Sequence, residues 1–343
     1  MLKKIFTTTL LLVLVLDATS QKNYRGAEIY SSQSHKYGKM EMRMRMAKGS
    51  GILSTFFTYK NGSEVSGAFW EEIDIEVFGK NNATTFQSNI ITNNPRKYSE
   101  EVHSPGFSMA EGYHTYVLEW TPSYVAWYLD GVLIRKTVGA QSAELTNAQS
   151  LRFNLWASDV VSWVGTFDTQ ALPAYQFVNW IKYSSYTPGA GDNGTDFTLS
   201  WTDEFNTFNT SRWSKANWTF DGNLVNFEPN NVLVKDGYLV MALTTATQTG
   251  FSGTVPVDNM VTEVSDHAIH HEHIRTFPNP FNTSIKIEAT DGTPYIISDM
   301  LGQVVEQGTI YSSHAVGASL PKGMYMLQVN TSADRILRKI IKE

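Results

Sequence analysis

The sequence of 343 residues has no cysteine, few charged residues and no long apolar run beyond its N-terminus. Without cysteine an exported chain has no disulfides, so its stability must come from burial of a core. Charged residues make up only 17% of the chain, its net charge is −6 and no basic stripe is present, which disfavours nucleic-acid binding. No long segment shows the 3.6-residue period of an amphipathic helix, which disfavours a helical fold.

Aromatic and hydrophobic residues are plentiful instead. They make up 13% and 42% of the chain, and nine residues are Trp. This content is enough for a large core and argues against overall disorder. Many aromatic side chains with few charges also suit a neutral, ring-shaped ligand such as a sugar, whose faces stack on aromatic rings.

The first residues have the pattern of a secretory signal. Lys3 and Lys4 precede an apolar run that is too short to span a bilayer. The small residues Ala18 and Ser20 stand where a signal peptidase requires them. We therefore predict a signal peptide at residues 1–20.

The chain from residue 24 to residue 244 consists of short alternating apolar and polar runs separated by Gly, Asn, Asp and Pro. One clear hairpin joins VAWYL to VLIRK through Asp130-Gly131. This pattern predicts an all-β fold, a jelly-roll sandwich of two curved antiparallel sheets. The segment TPGAGDNGTD, residues 187–196, is predicted to be a flexible join between two strand-rich blocks.

The composition of the sequence changes after residue 245. A polar stretch there carries four of the eight histidines. They could ligate a metal, but no fixed ligand spacing accompanies them, and this favours a solvated linker. Short strands then resume and predict a small C-terminal Ig-like β-sandwich. The predicted boundaries are a signal peptide at 1–20, a jelly-roll domain at 21–248, a linker at 249–273 and a C-terminal domain at 274–343.

The most informative motif is FWEEIDIEVFGKN, in which Glu72, Asp74 and Glu76 alternate with aliphatic residues. We call these three residues the acidic triplet. Alternate residues of a strand share a face, so three carboxylates would lie side by side while the aliphatic residues enter a core. Like charges this close raise at least one pKa, which gives a strand no advantage and therefore indicates chemistry. A half-solvated edge strand or a calcium-binding ladder is the simpler alternative.

This motif resembles the catalytic strand of glycoside hydrolase family 16, whose pattern is Glu-aliphatic-Asp-aliphatic-Glu. Other segments are similar to the lichenases (1,3-1,4-β-glucanases) of that family, and the resemblance covers nearly all of residues 24–245. It rests on YGKMEMRMRM, TFQSNIIT, YHTYVLEWTP, LRFNLWAS and YQFVNWIKYSSYTPG.

The order of these segments is exchanged relative to most members of the family. A stretch of the type DEFNTFNTSRW…NNVLVKDGYLVMALT usually comes first, but here it occupies residues 203–244, after the acidic triplet. This order resembles the circularly permuted lichenase known from Fibrobacter. A permutation needs neighbouring ends in the parent fold and a compliant joint, which residues 187–196 would supply.

The last segment resembles the C-terminal sorting domain of the bacterial type IX secretion system. The resemblance rests on FPNPFN, ISDMLGQVVEQG, LPKGMYMLQV and RILRKIIK. It implies export through that machinery and a location outside the cell or on its surface. An ordinary Ig-like accessory domain is the alternative.

By resemblance, Glu72 is the nucleophile, Glu76 is the general acid/base and Asp74 orients Glu72. Retaining glycosidases hold the two working carboxyls about 5–5.5 Å apart, so the side chains of Glu72 and Glu76 must lean together across Asp74. Two neighbouring carboxylates push the pKa of Glu76 upward and keep it protonated near neutral pH. The laminarin-cleaving members carry an extra Met, a bulge, before the last Glu; here Ile75 directly precedes Glu76.

The resemblance also implies a sugar-binding groove of aromatic rings and amides, the groups that glucose rings require. The matched positions are Phe57, Tyr59, Asn61, Trp70, Gln87, Asn89, Arg152, Asn154, Trp156, Trp163, Lys215 and Trp218. Four other tryptophans, Trp120, Trp127, Trp180 and Trp213, are assigned to the core.

The family often carries a structural calcium away from the catalytic residues. The matched positions are Asn179 and Gly237, through main-chain oxygens, and Glu204, through its side chain. Permuted lichenases tend to have Asn at the position of Glu204, and a carboxylate is a sound calcium ligand. No cofactor is implied for catalysis.

These features predict a secreted or surface-attached, endo-acting, retaining β-glucanase. It would cleave β-1,4 bonds next to 3-substituted glucose in mixed-linkage β-1,3-1,4-glucan. The alternatives are a laminarin- or xyloglucan-active member of the family, a non-catalytic glycan-binding jelly roll, or a surface adhesin. The intact acidic triplet argues against the non-catalytic jelly roll. The expected partners are the polysaccharide and the secretion machinery; we expect no nucleic acid, no membrane span after signal cleavage, and a monomer.

Overall fold

The structure is a computed structural model that describes residues 22–258, 275–289, 291–299, 303–311, 314–330 and 335–343. The predicted signal peptide and the histidine-rich part of the predicted linker lie outside the described residues. The chain divides into two compact units, residues 1–260 and 261–343. Within the described ranges, no helix is long and apolar enough to cross a membrane.

The first unit is built from short β-strands. They are β1 Tyr24–His35, β2 Gly38–Arg45, β3 Ile52–Tyr59, β4 Trp70–Phe78, β5 Thr85–Asn93, β6 Lys97–Tyr98, β7 Glu101–His103, β8 His114–Trp120, β9 Tyr124–Leu129, β10 Val132–Val138, β11 Gln149–Ala157, β12 Ala174–Tyr186, β13 Phe197–Asp203, β14 Trp213–Lys215, β15 Val225–Phe227, β16 Val232–Lys235 and β17 Tyr238–Thr245. Among the described residues of this unit, helical structure is limited to turns: α1 Lys80–Ala83, α2 Val161–Val164, and 3-10 turns at Ala140–Glu144, Thr169–Ala171, Asp192–Gly194 and Pro229–Asn231.

Two antiparallel sheets pack face to face. The first sheet, which we call the concave sheet, has the order β14–β1–β11–β3–β4–β5, with β6 and β7 both beside β5. The second, the convex sheet, has the order β10–β9–β8–β2–β12. Strand β12 then pairs with β17 along its first half and with β13 along its second half, and β16 lies beside β17. This is the predicted jelly-roll sandwich.

The core lies between the two sheets because each strand sends alternate side chains inward. In β2, Met40, Met42 and Met44 are buried, and in β4 the aliphatic residues between the three acids are buried with them. The remaining face of β4 is therefore free to present the acidic triplet. The alternation of acidic and aliphatic residues therefore belongs to a strand that has one face in the core and the other face outside it.

Three of the four tryptophans assigned to the core, Trp120, Trp127 and Trp213, are fully buried. The fourth assignment is wrong. Trp180 of β12 is paired with Arg43, which points away from the core because its neighbours in β2 point inward. The ammonium of Lys182 lies 4.7 Å from the Trp180 ring on this outer surface.

The join between the two strand-rich blocks is a hydrogen-bonded hairpin loop rather than the flexible connection that its composition predicts. It links β12 to β13, which pair directly with each other. Thr187 donates its main-chain N–H to Asp196 O at 2.7 Å, and Gly191 donates to Thr195 O at 3.0 Å. The two blocks are therefore joined where the strands already lie side by side, as a permutation requires.

The first part of the predicted linker packs on the outer face of the convex sheet, so the domain extends beyond the predicted residue 248. We call residues 249–258 the docked segment. Phe251 contacts Tyr175 edge to face at 4.7 Å, and Val255 is buried. The carboxylate of Asp258 accepts hydrogen bonds from Arg43 Nε at 2.9 Å and Nη2 at 2.8 Å. Composition alone hides this packing because only a few residues of the segment are apolar.

The second unit contains a three-stranded and a four-stranded sheet. Its strands are β18 Arg275–Phe277, β19 Ile285–Glu288, β20 Thr293–Asp299, β21 Val304–Ile310, β22 His314–Val316, β23 Gly323–Asn330 and β24 Arg335–Lys342. The sheet orders are β18–β19–β22 and β21–β20–β23–β24. Their buried side chains, including Phe281, Ile297 and Leu327, form one cluster. This unit is the small C-terminal β-domain that the sequence predicts.

Candidate active site

The acidic triplet lies on the exposed face of the concave sheet. Strand β4 pairs in unbroken register with β3 and β5 from Trp70 to Phe78. Because no bulge interrupts this register, Glu72, Asp74 and Glu76 keep to one face. We call the surface around them, on β4 and the neighbouring strands, the cleft.

Glu72 and Asp74 share a hydrogen bond between their carboxyl groups. Burial, together with the charges of Glu72 and Glu76, raises the pKa of Asp74 well above its usual range. Burial also raises the pKa of Glu72, but the hydrogen bonds from Asp74 and Trp70 oppose that rise. Trp70 Nε1 donates to Glu72 Oε2 at 2.6 Å. A protonated Asp74 can therefore donate to an ionised Glu72, which suits Glu72 as a nucleophile.

Glu76 is held differently. Burial and the neighbouring charge of Glu72 raise the pKa of Glu76 to about 8. Gln87 Nε2 donates to Glu76 Oε2 at 3.1 Å, while Trp163 Nε1 donates to Gln87 Oε1 at 3.1 Å. The tryptophan thus turns the amide nitrogen of Gln87 toward the acid. A carboxyl that keeps its proton at neutral pH suits a general acid.

One side of the cleft, toward β3, β11 and β1, carries a polar network centred on Arg152. The guanidinium donates to Glu28 Oε1 at 3.0 Å and to Asn61 Oδ1 at 2.8 Å. Asn154 donates to the other oxygen of Glu28 at 3.2 Å. Burial raises the pKa of Glu28 to about 7, and the Arg152 charge opposes that rise. The Arg152 charge also opposes the rise in the pKa of Glu72, so this network acts electrostatically on Glu72.

Aromatic rings flank the same side of the cleft. Tyr59 packs against Trp70 at 5.5 Å, and the Arg152 guanidinium lies 4.6 Å from the Tyr59 ring. Trp218 lies 5.2 Å from the ring of Tyr30. Later on β11, Trp156 contacts Trp163 at 6.0 Å and Phe220 at 5.1 Å. Rings beside a polar floor provide the stacking surfaces that a sugar chain needs.

The structure brings the acidic triplet and most of the predicted groove residues to this cleft. Phe57 pairs with Asp74, and Asn89 pairs with Asp74 from the other side. Lys215 is the exception. It pairs with the core residue Ile29, and its ammonium donates to the carbonyl of Val232 at 2.6 Å. The structure therefore places Lys215 between the sheets and not in the cleft.

Sequence reasoning missed two buried acids, one on the face of the acidic triplet and one on the opposite face of β4. Glu28 stands in the segment GAEIY as a lone charge among apolar residues, a signal that could have indicated it. Glu71 precedes Glu72 in the chain but faces the other side of β4. Its carboxylate accepts from the main-chain N–H groups of Thr146 at 2.7 Å and Asn147 at 3.0 Å. Glu71 thus fixes the start of the catalytic strand to the loop before β11.

The predicted calcium ligands meet at one place in the convex sheet. The pairing of β12 with β17 ends at Val178, and its pairing with β13 begins at Ile181. Asn179 lies in this gap. By the same register, Gly237, which stands just before β17, and Glu204, which stands just after β13, lie beside Asn179. Asn179 has no partner in the described strand registers, and main-chain and carboxylate oxygens are the donors that suit calcium.

Other oxygen atoms surround the same gap. Asp258 of the docked segment accepts from Asn179 Nδ2 at 2.8 Å. Asn206 Oδ1 lies 3.9 Å from the position that a Cβ on Gly237 would occupy. Across the described ranges, no group of three or more His, Asp and Glu side chains is arranged to hold a metal ion. The donor set fits a calcium held mainly by carbonyl oxygens.

Comparison with known proteins identifies both units. The model of glycosyl hydrolases family 16 matches residues 5–182, and that of a secretion system C-terminal sorting domain matches residues 275–343. A "Beta-glucanase" of Fibrobacter succinogenes is 51% identical over 243 residues, which cover 70% of this chain and 69% of that protein. A "Beta-glucanase" of Paenibacillus macerans is 38% identical over 181 residues, covering 52% and 73% of the two chains.

Among solved structures, a Bacillus licheniformis β-glucanase is 33% identical. It covers 47% of this chain and 77% of its own, with a TM-score of 0.42.

The extent of these matches agrees with the exchanged order of segments. The family model ends within β12 and leaves out residues 203–244, whereas the Fibrobacter protein aligns over a longer stretch than the Paenibacillus protein does. The C-terminal unit is a type IX secretion sorting domain, which places the protein outside the cell or on its surface. The chain belongs to family 16 of the glycosyl hydrolases, and its jelly-roll unit is a glycoside hydrolase.

Proposed function

We propose that the protein is an endo-acting, retaining β-glucanase that cleaves β-1,4 bonds next to 3-substituted glucose in mixed-linkage β-1,3-1,4-glucan. The observation that carries this proposal is the placement of three carboxyls on one face of β4, each with different hydrogen-bond partners. Asp74 and Trp70 hydrogen-bond to Glu72, while burial and the charge of Glu72 raise the pKa of Glu76 to about 8. One ionised and one protonated carboxyl on a single face are what a retaining glycosidase uses.

In the first step, Glu72 attacks the anomeric carbon of the donor sugar. The bond between that carbon and the glycosidic oxygen breaks, and Glu76 gives its proton to the departing oxygen. The products are a glycosyl ester on Glu72 and a sugar chain with a new hydroxyl. Trp70 and Asp74 hold the attacking carboxylate by its hydrogen bonds and so limit its rotation.

In the second step, Glu76 acts as a base. It takes a proton from water as the water oxygen attacks the anomeric carbon, and the ester bond to Glu72 breaks. The two displacements return the original configuration at the anomeric carbon. The cycle ends with Glu76 protonated and Glu72 ionised, as at the start.

The linkage preference is supported by the unbulged catalytic strand. The laminarin-cleaving members of the family, by the resemblance described above, carry an extra residue before the last Glu. Here β4 pairs without any register shift on both sides. The relatives named "Beta-glucanase" from Fibrobacter and Paenibacillus favour a glucan substrate.

We further propose a structural calcium at Asn179, Glu204 and Gly237. It would bridge β12 to the end of β13 and the start of β17, strands whose order in the chain has been exchanged. A calcium bound here would stabilise the folded domain and would take no part in the reaction. The docked segment reaches the same place through Asp258.

Product analysis on four glucans tests the substrate proposal. Lichenan and barley β-glucan should be cut to short oligosaccharides that carry a 3-linked glucose at the reducing end. Laminarin and carboxymethyl cellulose should resist. Comparable rates on laminarin and lichenan would overturn the linkage preference, and NMR of the first-formed anomer would overturn the retaining mechanism if it were inverted.

A further inference from the structure

A buried arginine lies between the two sheets, on the core side of the acidic triplet. Arg135 of β10 is 7% exposed, and no step of the proposed mechanism uses it. The pairing of β10 with β9 shifts by one residue between Leu133 and Arg135, which forms a bulge. Without this extra residue, strand alternation would turn Arg135 to the outer face. Arg135 instead pairs with Trp127 and shares its face, which is the core face.

The guanidinium of Arg135 binds two places at the edge of the concave sheet. Nη1 donates to Ser88 O at 3.0 Å, to Ser88 Oγ at 3.1 Å and to Ser99 O at 2.7 Å, and Nη2 donates to Ser99 Oγ at 2.6 Å. Glu101 of β7 supplies the opposite charge, 3.2 Å from Nε. His103 Nε2 lies 2.8 Å from Ser88 Oγ. Because a guanidinium holds several acceptors in fixed directions, Arg135 clamps β5 to the turn between β6 and β7.

Both serines are tied to residues that face the acidic triplet. Ser88 lies on β5 between Gln87 and Asn89, whose side chains point to the cleft face. Gln87 Nε2 donates to Glu76 Oε2 at 3.1 Å. Ser99 donates its main-chain N–H to Asn89 Oδ1 at 3.1 Å. One guanidinium therefore holds, from behind the sheet, the part of β5 that carries both amides.

A tryptophan extends the contacts of Arg135 to a second acid. The guanidinium lies 4.8 Å from the ring of Trp127, which donates its indole N–H to the main-chain oxygen of Asp74 at 2.9 Å. A cation over an aromatic ring is attracted to it and favours one orientation of the pair. Arg135 points into the core, whereas the cleft lies on the other face of the concave sheet. Its effect on a reaction in the cleft must therefore pass through these neighbours.

We propose that Arg135 is a positioning residue for the general acid: its guanidinium clamps the edge of the concave sheet so that Gln87 keeps its hydrogen bond to Glu76. The outer neighbours of β5 are only the short strands β6 and β7, so strand pairing alone fixes this edge weakly. A shift of 1 Å in a reacting group can cost about a hundredfold in rate. The proposal deepens the proposed function and rests on it, because it takes Glu76 as the general acid.

Loss of the clamp should change the titration of Glu76 in a defined direction. The charged groups that act on Glu76 are Glu72 and Asp74 of its own strand and Glu100 beside β7. Against them, the hydrogen bond from Gln87 favours the ionised form and lowers the pKa of Glu76. A displaced Gln87 loses this effect, so the basic limb of the pH profile should move to higher pH.

The test measures kcat and KM against pH on a β-glucan that the wild type cleaves. In Arg135→Met, kcat should fall about tenfold with KM nearly unchanged, and the basic limb should move upward, as in Gln87→Ala. The double variant should show the same limb as Gln87→Ala alone, because both changes act on one hydrogen bond. Arg25→Met is the matched control. Arg25 is 6% exposed and donates to the main-chain oxygen of Tyr24 at 3.0 Å, so its loss should lower stability and leave the limb in place.

Two milder variants keep the test decisive if Arg135→Met does not fold. Arg135→Lys keeps the charge but reaches fewer acceptors, and Ser99→Ala removes one acceptor; both should shift the limb upward by less. A limb at the wild-type pH in every folded variant would overturn the clamp, as would shifts that add in the double variant. If the wild type cleaves β-glucan but Gln87→Ala leaves the limb unmoved, the clamp is also overturned. A wild type that cleaves no β-glucan would overturn the proposed function itself, and the clamp with it.

Discussion

Trp127, in the convex sheet, donates its indole N–H to the main-chain oxygen of Asp74 at 2.9 Å. The middle residue of the acidic triplet is therefore fixed from below by a side chain that crosses the core. Trp127 itself is 1% exposed. The position of the cleft floor thus depends on the packing of the two sheets as well as on strand pairing.

Replacing Trp127 by Phe should lower stability because it leaves the carbonyl of Asp74 buried without this donor. Such a loss costs about 1–3 kcal/mol, and each kcal/mol lowers the melting temperature by roughly 2–4 °C in a domain of this size. Trp120→Phe is the control. Trp120 is equally buried, and its indole N–H has no hydrogen-bond partner among the described residues. Equal losses of melting temperature in the two variants would show that the hydrogen bond contributes nothing.

Removing Glu72, the proposed nucleophile, should give a chemical signature. Glu72→Ala should reduce hydrolysis by several orders of magnitude, and azide should restore turnover with an α-glycosyl azide as product. Glu76→Ala should instead give a β-azide, because the ester on Glu72 still forms. Polarimetry or NMR of the azide products distinguishes the two. Full activity of Glu72→Ala without azide would remove Glu72 from this role.

The pH dependence of the rate should report the general acid. Because the pKa of Glu76 is raised to about 8, kcat/KM should fall as the pH rises through about 8. The hydrogen bond from Gln87 favours the ionised form of Glu76 and lowers its pKa. Gln87→Ala should therefore move the basic limb of the pH profile to higher pH. A shift to lower pH would contradict this arrangement.

The same shift predicts a stability effect. The pKa of Glu76 rises on folding from 4.5 to about 8, so its proton stabilises the native state below pH 4.5, and this contribution is lost as the pH rises through about 8. Glu76→Gln, which is neutral at every pH, should raise the melting temperature at pH 8 more than at pH 4. Calorimetry at the two pH values measures the difference.

Much of this site could be predicted from sequence because strand alternation is a local rule. The spacing of Glu72, Asp74 and Glu76 alone placed them on one face. The position of Lys215 could not be obtained in this way. Strand β14 is only three residues long, and its pairing with β1 decides on which face of the sheet its side chains lie.

The docked segment illustrates the same limit. A polar composition predicted a solvated linker from residue 249. In the fold, however, Phe251 and Val255 find apolar partners on β12 and its neighbours, and Asp258 meets Arg43. Three well-placed residues are enough to fix a segment that is polar on average, and no sequence average detects them.

Two truncated chains test the packing of the docked segment independently of the sorting domain. A chain ending at residue 260 should keep wild-type catalysis and stability, because the catalytic cleft and the docked segment remain. A chain ending at residue 248 exposes the apolar partners of Phe251 and leaves Arg43 without Asp258, whose side chain is 2% exposed. We expect it to melt several degrees lower, since apolar surface returns to water and the charge-assisted hydrogen bonds between Arg43 and Asp258 are lost. Equal melting temperatures would show that the segment is not docked.

In the native host, the chain that lacks residues 274–343 should accumulate inside the cell. The sorting domain is the part that the secretion machinery recognises, while the acidic triplet and the cleft lie in the other unit. Activity assays on lysate and on medium measure the distribution. Normal secretion of the truncated chain would disprove the sorting role.

The last prediction concerns calcium. Removing it with a chelator should lower the melting temperature and leave the rate at moderate temperature nearly unchanged, because the proposed ligands lie in the convex sheet and the acidic triplet on the concave one. A ligand that binds only the folded state stabilises it by about 2.7 kcal/mol at a hundredfold excess over its Kd. Glu204→Ala should melt like the chelated wild type and respond little to added calcium.

Glu228→Ala is the control, because Glu228 precedes a 3-10 turn and caps it through Asn230. It should lose only the small stability of that cap and keep its full response to the chelator. A chelator that leaves the melting curve of the calcium-loaded wild type unmoved would show that no such site exists. A chelator that stops catalysis at once would place the metal at the acidic triplet, and the assignment to Asn179, Glu204 and Gly237 would then be wrong.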